Sequence, residues 1–156
     1  MTAFEILEQL ALLNWDVIAT GRMRGWITDA DLSSFAAREA DPSLPYEMLT
    51  AILELENAEQ LSAEVIDQFL FQLSPKPIDQ RSTELDVLRL AKLIELKTQD
   101  IEWEDLVTRL EELRSDFGYP EDMHGCSRYG AGPSDPLVEM KSVIERLKSR
   151  FCVGRP

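Results

Sequence analysis

A chain of 156 residues with 29 carboxylates, 16 lysines and arginines and a formal net charge of −13 repels phosphate backbones and anionic bilayers. That sign excludes nucleic acid and membrane surfaces and leaves basic proteins as the partner class its field attracts. At this length one core is expected, burying roughly 70% of the surface that the unfolded chain exposes, with no need of a metal or disulfides.

Cys126 and Cys152 show no CxxC spacing, and Met1 to Leu13 contains Glu5 and Glu8 but no cation, unlike the basic start of a signal peptide. No apolar run approaches the roughly 18 residues of a membrane span. A cytoplasmic protein with reduced thiols and no cofactor is expected. Apolar residues recur at helical spacing almost throughout, and alternating β-branched runs are absent. This predicts an all-α fold: a single helical domain over residues 1–156, a bundle of about seven helices with one central, largely buried helix.

In chain order, Phe4, Leu7, Leu10 and Ala11 form a first amphipathic series, and Asn14 is placed to cap a helix starting at Trp15, which Gly21 and Gly25 loosen and end. Thr28 and Asp31 have capping-box spacing ahead of Leu32, Phe35 and Ala36. Pro45 suits the first turn of a helix lined by Met48, Leu49, Ile52 and Leu55. Leu61, Val65, Ile66, Phe69, Leu70 and Leu73 make a strong stripe that Ser74-Pro75-Lys76-Pro77 must stop, a connector too short to separate independent modules. From Ser82 to Lys97 the apolar positions cover most of a helix circumference, so this helix is the central one. Asp100 is placed to cap a helix with Trp103, Leu106, Val107, Leu110 and Leu113 on one face, ended by Phe117-Gly118-Tyr119-Pro120. The stretch 118–136 is rich in glycine and proline and reads as the longest irregular region. A last helix begins near Asp135 with Pro136 at its first position.

Several constellations fail on chemistry. Gly25 to Asp31 resembles the back of a calcium loop, but the first, third and fifth ligand positions fall on Thr20, Arg22 and Arg24, and guanidinium groups do not ligate a dication. Trp15 to Ala40 has helix-turn-helix order, yet Asp29, Asp31 and Glu39 outnumber Arg38 in its second helix. His124 is the sole histidine; with Asp122 and Cys126 it offers neither zinc spacing nor an oriented base for a thiol, so no metal is assigned. Trp15, Trp26 and Trp103 lie in apolar stripes and are expected in the core. The tail, with Lys141, Arg146, Lys148, Arg150 and Arg155, is locally basic, either a solvated helix face or a complement to the acidic half.

Two blocks, Asn14-Trp15-Asp16-Val17-Ile18 followed by Gly21 and Gly25-Trp26-Ile27, and Asp116-Phe117-Gly118-Tyr119-Pro120-Glu121-Asp122 leading to Ser127-Arg128-Tyr129, resemble an uncharacterised bacterial family of small, acidic, helical proteins known as a domain of unknown function. Order and spacing agree over most of the chain. Between the blocks the likeness rests on helical pattern, and the family's tryptophan- and tyrosine-rich helix is replaced here by leucines from Leu85 to Leu96. The resemblance carries over no catalytic residue. By analogy alone, the family's members look similar in size, charge and setting to bacterial toxin-immunity proteins.

Function is read from charge. Glu39 to Pro75 holds eight carboxylates and no lysine or arginine. Glu47, Glu54, Glu56, Glu59, Glu64 and Asp67 are therefore expected to steer and rim a basic protein partner, with Tyr119, Arg128 and Tyr129 as secondary interface anchors. The expected role is a non-catalytic binding module, such as an immunity-type antidote that occludes a basic toxin. Two competing expectations are a small-molecule-binding domain or enzyme whose site is walled by residues 118–136, and a structural homo-oligomer with an acidic exterior.

Overall fold

A computed structural model of the chain describes residues 1–127 and 135–152. Among them the elements are α1 (Ala3–Gln9), α2 (Trp15–Met23), α3 (Asp29–Glu39), α4 (Tyr46–Leu55), α5 (Ala63–Leu73), α6 (Ser82–Lys97), α7 (Trp103–Asp116) and α8 (Pro136–Phe151). Short 3-10 turns lie at Ala58–Gln60, Ile78–Gln80 and Glu121–Cys126, and the described residues contain no strand. The fold is all-α, as the apolar spacing predicts. Eight α-helices lie among the described residues, in keeping with the expected bundle of about seven. Part of the stretch expected to be irregular is the six-residue 3-10 turn Glu121–Cys126.

Contacts group the chain into two compact units, Leu13–Glu84, and Met1–Leu12 together with the chain from Leu85 onward. The Ser74 to Pro77 connector lies inside the first unit rather than at a boundary. In that unit α3 packs on α4, and α5 packs on both α4 and α2. The local chemistry explains where each helix starts. The Asn14 side chain accepts a hydrogen bond from the Val17 amide. Thr28 and Asp31 form a complete capping box at the start of α3, satisfying amides at both positions. Gly21 does not loosen α2, where it is buried; the helix ends before Gly25, whose φ of +77° an L side chain rarely adopts. Buried Trp15 meets Phe35 edge-on, with ring centroids 4.7 Å apart, fixing α2 against α3.

The second unit has its own apolar core, in which Leu90, Leu93 and Leu96 of α6 meet Leu110 and Leu113 of α7 and Met140, Val143, Ile144 and Leu147 of α8. α6 is largely buried, and Leu88, Leu90, Ala91 and Leu93 expose none of their surface, which is the burial its broad apolar circumference demands. Two expectations fail here. Asp100 is not a cap: α7 starts at Trp103, preceded by Glu102, and no side chain closes its first turn. Trp103 sits at that first position and is exposed rather than in the core. α8 starts as expected, with Asp135 accepting from the Leu137 amide and Pro136 needing no hydrogen-bond partner there.

Candidate docking groove and acidic surface

The six acids expected to face a partner run along one continuous piece of the first unit. Glu47 opens α4 and Glu54 lies in its last turn, Glu56 follows that helix, Glu59 is in the 3-10 turn, and Glu64 and Asp67 are on α5. All are exposed except half-buried Glu56. Among the described residues none of the six forms an ion pair. The 13–84 unit holds thirteen carboxylates against five cations, a net of −8 out of the chain's −13. All five of those cations have partners, Arg24 and Arg38 lying 5.1 and 5.9 Å from the ring centroids of Trp26 and Phe35. Arg22 pairs with Asp29, Lys76 pairs with Glu84 and lies 3.7 Å from Asp16, and Arg81 is internal. The negative field of this unit is therefore displayed rather than cancelled. In the other unit, Arg150 pairs with Asp86 and Arg146 with Asp122, so these two cations of the tail are tied to acids outside the 39–75 segment.

The same unit holds a cleft of about 650 Å³ with Asp67 in its lining, within the usual range for binding sites. One wall is the α2 face carrying Ala19, Arg22 and Met23; the other is the α5 face carrying Ala63, Asp67, Leu70 and Phe71. The connector closes one end with Lys76, Pro77 and Ile78. Large apolar side chains here stay in water: Phe71 is 68% exposed, Ile78 79% and Met23 55%. Exposed apolar clusters of this kind are a common feature of interaction surfaces.

Arg81 builds the end of this cleft. Only 2% exposed, it donates from Nε to the Lys76 carbonyl at 3.2 Å, from one terminal nitrogen to Thr20 Oγ1 at 2.9 Å and the Asp16 carbonyl at 3.3 Å, and from the other to the Ser74 and Lys76 carbonyls at 2.9 and 2.8 Å. The prolines at 75 and 77 leave the connector without a helical hydrogen-bond ladder, and the guanidinium supplies the missing donors. Ser74 Oγ donates to Asp16 Oδ1 at 2.6 Å. The Glu84 carboxylate, which accepts a hydrogen bond from Lys76 Nζ, pushes that ammonium above its ordinary value, with the Asp16 charge adding to the effect.

Among the described residues of the 118–136 stretch, Tyr119 and His124 face solvent while Cys126 is buried. Tyr119 is exposed, in the left-handed region with φ +57°, and the Arg114 guanidinium lies 5.1 Å from its ring centroid. His124 is exposed, whereas Cys126 is fully buried in the α6–α7–α8 core. Burial, reinforced by the Glu139 and Asp122 charges, pushes the Cys126 thiol up to about 11. It stays protonated near neutrality, the wrong form for a nucleophile or a metal ligand. Among the described residues no three His, Cys, Asp or Glu side chains converge on a cation site. Arg128 and Tyr129 lie outside the described residues.

A family model described as uncharacterized protein conserved in bacteria (DUF2247) matches residues 4–151. The chain belongs to that family. No curated protein matches it, and no solved structure does either. The two sequence blocks that resemble the family have plain structural tasks here. Asn14 caps, Trp15 packs, Gly25 and Gly118 turn the chain with positive φ, and the Tyr119 amide closes α7 on the Arg114 carbonyl at 2.9 Å.

Of the acids singled out from sequence, the fold brings Asp67 onto the cleft wall and leaves the other five outside its lining. Met23, Phe71, Ile78 and Arg81 were not foreseen. One signal was present: Phe71 and Ile78 are large apolar residues off any predicted stripe, which a buried role does not explain.

Proposed function

We propose that this protein is a non-catalytic, cytoplasmic binding module for a basic protein partner. The observation that carries the reading is the set of exposed carboxylates from Glu47 to Asp67, none of them ion-paired among the described residues, in a unit whose net charge is −8. Charge of one sign left uncompensated costs stability through self-repulsion, and it accelerates encounter with a cationic surface to about 10⁸ M⁻¹s⁻¹. An immunity-type antidote, which must reach a basic toxin before the toxin reaches its target, fits that chemistry.

The test compares the natural chain with a variant carrying Glu47→Gln, Glu54→Lys, Glu59→Lys and Glu64→Gln. Glutamine at the two first-turn positions avoids placing a cation at a helix N-terminus. Both are used to capture proteins from cells that express the chain naturally, at 50 and 300 mM salt, and the association rate of each captured protein is then measured. Basic proteins held by the natural chain at low salt, lost with the variant and associating more slowly as salt rises, are expected. An unchanged set of partners, with unchanged rates, overturns the proposal.

A further inference from the structure

Resting on the reading above and sharpening it, we infer that the α2–α5 cleft takes the apolar face of a cationic amphipathic helix from the partner. The apolar half of the recognition is Met23, Phe71 and Ile78, exposed together over Leu70 and Ala63. Buried on docking, they leave water at a cleft that offers them little cover in the free chain.

The backbone chemistry selects a helix over an extended segment. Both long walls are α-helices whose amides and carbonyls are already paired along the helix, so no sheet edge is present to accept a strand. A docking helix satisfies its own backbone and asks the cleft only for apolar contact. From Ala63 to Phe71 the α5 wall advances about 12 Å, two turns of helix, and the connector carries it farther to Ile78.

Charge selects the sign. Arg81 uses its donors inside the protein, Arg22 faces Asp29, and Lys76 faces Glu84 and Asp16, so the cations at the cleft are neutralised and do not recruit an anion. The carboxylates around it are not. Asp67 on the wall, Glu64 one turn earlier on α5, and Asp79 next to Ile78 are exposed and form no ion pair among the described residues. A helix with leucine-like residues on one face and lysines or arginines on its flanks complements both features.

The experiment titrates the full chain, by fluorescence anisotropy between 50 and 300 mM salt, with a 14-residue leucine–lysine peptide whose leucines recur at three and four residues. A second peptide of the same composition, its leucines spread around the helix, is the comparison. Preference for the amphipathic peptide by at least about tenfold is expected, with Phe71→Asp and Met23→Asp each removing most of it. Leu53→Asp, exposed on α4 and not a lining residue of the cleft, leaves the preference unchanged, and Asp67→Asn with Asp79→Asn flattens the salt dependence. Circular dichroism checks folding, and Phe71→Ser replaces Phe71→Asp if the latter unfolds. Equal binding of the two peptides, or affinity indifferent to both Phe71 and Met23, overturns the cleft assignment and leaves the basic-partner reading intact. No binding of either peptide at 50 mM salt overturns both.

Discussion

The Arg81 guanidinium spans partners that lie 5 to 65 residues away in sequence, from the Lys76 carbonyl to the Asp16 carbonyl. All of its acceptors are neutral oxygens, so its worth lies in the fork geometry of five donors rather than in an ion pair. Lysine cannot reproduce that fork. Arg81→Lys leaves the Ser74 or Lys76 carbonyl unsatisfied and is expected to destabilise the fold by about 3 kcal/mol, measured by urea denaturation; a loss below about 0.5 kcal/mol would show that water replaces the guanidinium without cost. None of this was legible in the sequence, because no pattern links Arg81 to Thr20. Two caps were legible, since Asn14, and Thr28 with Asp31, act on amides three residues away, whereas the Thr2 and Ser62 caps were not. Asp100 shows the limit of that local logic. Its chemistry suits a cap, but the helix starts only at Trp103.

At the scale of a helix, α4 carries a charge against its own dipole. Glu54 lies in the last turn, where the free carbonyls already concentrate negative charge, and that turn contains no basic residue. Glu54→Lys alone is expected to raise the melting temperature by about 1–3 °C while weakening the binding of a basic partner. A variant that melts lower would mean that Glu54 has a stabilising contact of its own. The apolar stripe of α5 predicts its core positions, for Ile66 and Leu70 are buried. Phe71 was not anticipated. A helix wheel places it about 100° from Leu70, on the flank of Glu64 and Asp67, and only the neighbouring α2 shows that this flank borders a cleft.

For the whole molecule, the all-α class and the acidic exterior could be read from composition and spacing because both are sums over many residues. The cleft could not, since it exists only where residues 19–23 and residues 63–78 are brought together by the packing of α2 on α5. With a net charge of −13, the folded chain repels itself over about 30 Å at 10 mM salt and about 8 Å at 150 mM. The urea midpoint is therefore expected to rise between those two conditions, and a fall would place the dominant electrostatic term in attractive pairs instead. The clasp that Arg81 makes on the proline connector bears on binding kinetics. With one end of the cleft locked into shape in advance, an incoming helix has little loop to organise, and differences in affinity among partners should appear in how long each stays rather than in how fast it arrives.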